Sequence, residues 1–101
     1  MPDAESDIGE IYDYIAKVIM EPVVAGNVIA RIRKAIRSLD NMPERHRLYN
    51  NEPWQSKGLR MFPVGNFIVF YHTAPDNDTV FINSVLYGGR NIDAVLGERL
   101  L

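Results

Sequence analysis

The chain has 101 residues, 47% of them apolar and 24% charged, with a net charge of −2 and no cysteine. That length supports one domain with one core, and the lack of cysteine excludes a disulfide scaffold and any cysteine-based zinc site while fitting a reducing cytoplasm. No apolar run approaches the ~18 residues needed to cross a bilayer, and the opening Met-Pro-Asp-Ala-Glu is no secretory signal.

The charge is segregated. Residues 1–21 carry Asp3, Glu5, Asp7, Glu10, Asp13 and Glu21 against Lys17. Residues 31–60 carry Arg31, Arg33, Lys34, Arg37, Arg45, Arg47, Lys57 and Arg60 against Asp40, Glu44 and Glu52. A basic middle on an acidic chain is a local footprint for a polyanion. The net charge argues against broad nucleic-acid affinity, which needs many phosphate contacts.

In chain order, Ile8, Ile11, Ile15 and Val18 recur at spacings of three and four, which predicts an amphipathic helix over about residues 4–19. Its acids crowd the positive N-terminal end. Pro22 suits the first turn of a second helix, running to about Leu39 with Ala25, Val28, Ile32, Ala35, Ile36 and Leu39 as its apolar stripe. Asn41 and Pro43 stop it. Its Arg31, Arg33, Lys34 and Arg37 form a solvated face or a surface for an acidic protein segment or DNA, and periodicity does not decide between these. Residues 40–58 are a long polar connection, the kind that is often functional.

Strand patterns follow. Leu59 to Val64 is a short run closed by the turn pair Gly65-Asn66. Phe67 to Tyr71 is continuously apolar, as in a central strand buried on both faces. Pro75-Asp76-Asn77-Asp78 reads as a turn, and Val80 to Leu86 as the next strand of an antiparallel meander. After Gly88-Gly89, Ile92, Val95 and Leu96 predict a short final helix. Helical hairpin, meander and short helix make an α+β fold, with the hairpin packed on a small antiparallel sheet.

Several residues have chemical potential. His46, between Arg45 and Arg47 and next to Glu44, combines a titratable ring with cations; those neighbours favour neutral imidazole, hence a base. The alternative is a solvated polar loop. Lys57 and Arg60 enter the first strand either as phosphate clamps or as an exposed strand face. Arg90 follows Tyr87-Gly88-Gly89; glycines beside a charge at a strand end suit close ligand approach. Its alternative is an ion pair with Asp93 or Glu52. Tyr71 reads as core, His72 as surface and Trp54 as a hydrophobic anchor.

The chain resembles the RelE/ParE superfamily of toxins. The pieces are Pro2-Asp-Ala-Glu-Ser-Asp-Ile8 entering Ile11-Tyr-Asp-Tyr-Ile15, then Ile36-Arg-Ser-Leu39 with Met42-Pro43. Gly58-Leu-Arg60, Pro63-Val-Gly-Asn-Phe67, Val69-Phe-Tyr71 and Val85-Leu-Tyr-Gly-Gly-Arg90-Asn-Ile92 follow. The last is similar to the family's strand-end LYGGRD signature, with Asn91 in place of the acid. The resemblance spans nearly the whole chain and implies the growth-inhibiting toxin of a type II toxin–antitoxin system, bound by a cognate antitoxin. RelE-like members cut ribosome-bound mRNA without metal or other cofactor; ParE-like members poison DNA gyrase and cut nothing.

The leading expectation is a RelE-like, metal-independent mRNA endonuclease that inhibits translation: the resemblance implies Arg90 and Tyr87 as catalytic, and the residue chemistry adds Arg60 and His46 as catalytic and Arg45, Arg47 and Lys57 as nucleic-acid-binding. Two departures bear on this. Family members open with a strand that is missing here, so a sheet edge is expected to be covered by an antitoxin or by a second copy in a homodimer. Ile68 stands where nuclease members often carry an arginine, which favours a ParE-like gyrase inhibitor as the alternative.

Overall fold

The computed structural model describes residues 2–43, 45–74 and 79–100. The expected turn at 75–78 and the Glu44 carboxylate lie outside the described residues.

Helix α1 spans Pro2–Asp13 and continues as a π-helical turn over Tyr14–Val18. The wider turn is closed by Ile19 N–H donating to the Tyr14 carbonyl at 3.1 Å, and it turns Ile15 into the core. Met20 then adopts a left-handed φ of 63°, which reverses the chain. Helix α2, Pro22–Arg37, starts with its proline at the first turn, where a missing N–H costs no hydrogen bond. A 3-10 turn over Ser38–Asp40 ends it.

Three strands follow: β1 Arg60–Val64, β2 Phe67–Thr73 and β3 Val80–Tyr87, antiparallel in the order β1-β2-β3. The β1–β2 turn is Gly65-Asn66, with Gly65 at φ +59°. That conformation favours glycine, and it puts Val64 opposite Phe67. Between β2 and β3 the register jumps: Phe70 faces Ser84 but Tyr71 faces Ile82, so Asn83 is an extra residue. Helix α3, Ile92–Leu100, is the short final helix expected.

Both faces of the sheet are buried. On one, Ile8 of α1 and Ile32 of α2 pack with Phe62, Val69, Tyr71 and Val85. On the other, Leu96 of α3 and Trp54 pack with Leu59, Met61, Phe70 and Leu86. The hairpin on the sheet is as expected; the second core, built from the 49–59 segment and α3, is additional. Trp54 is the anchor anticipated: it is buried, and its indole N–H donates to Asp93 at 3.2 Å. Tyr71 is fully buried, its hydroxyl donating to the Pro43 carbonyl at 2.6 Å. His72 is half-buried, stacked on Phe81 at 5.2 Å. No helix among the described residues is long and apolar enough to cross a membrane.

Among the described residues no strand precedes α1 and none pairs with the outer edge of β3. That edge is nonetheless closed at one point. The Val85 N–H donates to Asp7 Oδ2 at 2.9 Å. Arg99 of α3 donates to both Asp7 oxygens, at 2.7 and 2.8 Å, and to Ser84 Oγ at 2.9 Å. This clasp joins α1 on one face to α3 on the other around the sheet edge. Asp7 is 3% exposed, so its charge depends on the guanidinium, and the hydrogen bonds from Arg99 to Asp7 in turn raise the arginine's pKa.

Arg99→Ala leaves a buried carboxylate without its counter-charge. The expected cost is about 3 kcal/mol, read as a lowered midpoint in urea unfolding with an unchanged slope. A loss below about 1 kcal/mol, the scale of an exposed pair, would contradict the role given to the clasp.

Candidate functional site

The candidate residues divide between the two ends of the sheet. At the end where β1 begins, residues 47–49 run beside β1, with Met61 N–H donating to the Arg47 carbonyl at 3.1 Å and Tyr49 N–H to the Leu59 carbonyl at 2.8 Å. This brings His46 over the sheet. Its ring stacks on Phe62 at 4.3 Å and meets the edge of Tyr71 at 6.1 Å. Arg60 Nη1 donates to the His46 carbonyl at 2.7 Å, holding the backbone of that residue. Arg45 donates through Nη2 to Ser38 Oγ at 2.7 Å and through Nε to His46 Nε2 at 3.3 Å. Burial lowers the His46 pKa below 6.5, and the Arg45 charge lowers it further. The imidazole is therefore neutral near pH 7, with Nε2 accepting. Arg47 is exposed nearby in the chain.

Lys57 belongs to a different place. It is exposed on the turn that ends at Gly58, whose φ is +80°. That turn carries Trp54 into the α3-side core.

The other end of the sheet holds Tyr87 and Arg90. Tyr87 is 53% exposed, edge-on to Phe67 at 6.1 Å. A Cβ on Gly89 would meet the Tyr87 ring at 2.6 Å, so the second glycine is what lets that ring lie where it does. Arg90 forms no ion pair among the described residues. Its two anticipated partners are engaged elsewhere. Asp93 accepts from Tyr49, Asn51 and Trp54; Glu52 accepts from Ser56. Burial raises the Tyr49 pKa, and its bond to Asp93 adds to this.

Tyr87 and Arg90 border a cleft of about 770 Å³ between the helical hairpin and β3, whose walls include Glu10, Ile11, Tyr14 and Val24. Beside it the turn of the hairpin is apolar and open: Val18 is 66% exposed, Met20 77% and Val23 75%.

The four residues expected to be catalytic do not converge. Arg60 faces Tyr71 across β1–β2, while Tyr87 faces Phe67 across β2–β3. Four residues along a strand and two strand spacings across separate them by roughly 16 Å. His46 and Arg60 form one group, Tyr87 and Arg90 another, and one phosphodiester does not reach both. Among the described residues no set of three or more His, Cys, Asp or Glu side chains is placed to hold a metal ion. Sequence reasoning missed the Asp7–Arg99 clasp and the Asp93 cluster. Neither has a signal in spacing, because their members are far apart in the chain.

The His46 environment sets a pH dependence. A histidine with a depressed folded pKa contributes stability that is present above its unfolded pKa of ~6.5 and is lost as pH falls through the folded value. Titration by imidazole NMR should place the His46 midpoint below 6.5, and Arg45→Ala should raise it part of the way back. A midpoint at or above 6.5 would refute the burial argument.

A search of curated proteins returned no significant match. The family model of the ParE toxin of the type II toxin–antitoxin system parDE matches residues 1–92. The match covers α1 through β3 and stops at Ile92, the first residue of α3, so the rest of that helix lies outside it. The chain therefore belongs to the ParE toxin family of type II toxin–antitoxin systems.

Proposed function

We propose that this toxin acts as a non-enzymatic inhibitor of DNA gyrase, docking through the turn of its helical hairpin. The observation that carries the reading is the apolar surface of Val18, Met20 and Val23, exposed beside the cleft bordered by Tyr87 and Arg90. Contiguous exposed apolar surface of this kind serves protein–protein contact. The placement of Ile68 on the central strand, packed among apolar side chains rather than offering a cation, supports the same choice. Family membership implies an antitoxin as the cognate partner. Of the two edge partners expected from the sequence, the reading keeps the antitoxin; the bulge at Asn83 and the Asp7 cap discourage a second copy from adding a strand to β3.

A second reading has an observation of its own. Neutral His46, Arg45 and Arg60 lie together, with Arg47 next in the chain, and a base beside guanidinium groups is what metal-free RNA cleavage requires. In that reading Arg45 and Arg47 hold ribosome-bound mRNA, and Lys57, on the turn that ends at Gly58, stands apart from them. Tyr87 and Arg90 have no part in it, for they lie at the far end of the sheet.

Gyrase supercoiling and translation-dependent mRNA cleavage, assayed with the same purified chain, separate the two. Inhibited supercoiling with intact mRNA is the expected result. Val18→Ser, Met20→Ser and Val23→Ser combined should raise the half-inhibitory concentration about tenfold or more, since a few anchors carry most of an interface's energy. Arg60→Ala should leave inhibition in place. Cleaved mRNA that is spared by His46→Ala, with supercoiling unaffected, would overturn the proposal.

A further inference from the structure

The flank of α2 that overlooks β1 carries a row of cations. Arg31, Lys34 and Ser38 follow at spacings of three and four, so they share one side of the helix. Arg31 marks one end. Its guanidinium nitrogens lie beside the β1–β2 turn, where a Cβ on Gly65 would be 3.6 Å from them. Ser38 marks the other end, where its hydroxyl accepts from Arg45 at 2.7 Å. Arg45 in turn donates to His46, whose carbonyl accepts from Arg60 at the start of β1. The row therefore runs the length of β1, about 13 Å at ~3.3 Å per residue.

Arg31, Lys34 and Arg45 form no ion pairs among the described residues. On the opposite flank, by contrast, Arg33 pairs with Glu5 at 3.4 Å. The acids of the N-terminal segment stand on α1. Of the large exposed apolar side chains, Val18, Met20 and Val23 belong to the hairpin turn, away from this row, and Met42 alone lies at its Arg45 end.

We propose that this row binds the phosphodiester backbone of a nucleic acid. At ~3.4 Å per nucleotide along one strand, a length of about 13 Å matches roughly four nucleotides. Nucleic-acid interfaces are polar and positive, whereas a bound peptide segment relies on apolar anchors, which are concentrated elsewhere on this chain. The inference goes beyond the gyrase reading and stands or falls without it.

Fluorescence anisotropy with labelled duplex DNA and with single-stranded RNA of the same sequence tests it over a salt series. Arg31→Ala/Lys34→Ala and Lys17→Ala/Arg33→Ala each remove two positive charges, so they reach the same net charge. All four side chains are exposed, and equal melting temperatures would verify the fold of both variants. The first double should flatten the slope of log affinity against log salt by about two and weaken binding about tenfold at about 100 mM salt. The second should stay within about twofold of the unmodified chain. The tighter of the two nucleic acids names the source of the backbone. Equal losses in both doubles would overturn the proposal, as would no binding to either nucleic acid at low salt. Tighter binding of a Glu-rich peptide, lost in the first double, would reassign the row to an acidic protein segment.

Discussion

Val69, Phe70 and Tyr71, three consecutive side chains of the central strand, are entirely shielded from water. Because neighbouring strand residues point to opposite faces, such a run demands apolar cover on both sides of the sheet. The hairpin of α1 and α2 covers Val69 and Tyr71; the 49–59 segment and α3 cover Phe70. His46 rides on the segment that leads into the second cover, and Tyr87 and Arg90 lie where β3 leaves the sheet toward α3.

Two polar clusters hold the covers in position. Asp93, in the first turn of α3, gathers hydrogen bonds from Tyr49, Asn51 and Trp54, which fastens the long connection to the helix. At the other end of α3, Arg99 reaches round the sheet to Asp7 and through it to the Val85 N–H. The second cluster also blunts an edge strand. A backbone N–H occupied by a carboxylate is unavailable to another strand, and the extra residue Asn83 interrupts the register next to it.

The surface separates its chemistries. Exposed apolar side chains gather at the hairpin turn, beside the cleft near Tyr87 and Arg90. Arg31 and Lys34, which form no ion pair among the described residues, line the flank of α2 above β1. Apolar and cationic surface thereby lie on different parts of one small domain.

Hydrophobic period and turn residues determined the helical hairpin, the meander, the Gly65-Asn66 turn and the two-faced burial of the central strand, which is complete at Val69 to Tyr71 and partial at Phe67 and Ile68. These rest on contacts between neighbours in the chain, whose spacing is visible without coordinates. The family was legible for the same reason, since its motifs are short runs in a set order. Tertiary structure alone decided which candidates share a site. Arg60 and Arg90 both sit at the end of a strand, but antiparallel pairing sends the start of β1 and the end of β3 to opposite ends of the sheet. The clasp from Arg99 to Asp7 and the fate of Asp93 likewise depend on groups that meet only after the chain has closed on itself, and no local pattern encodes such a meeting.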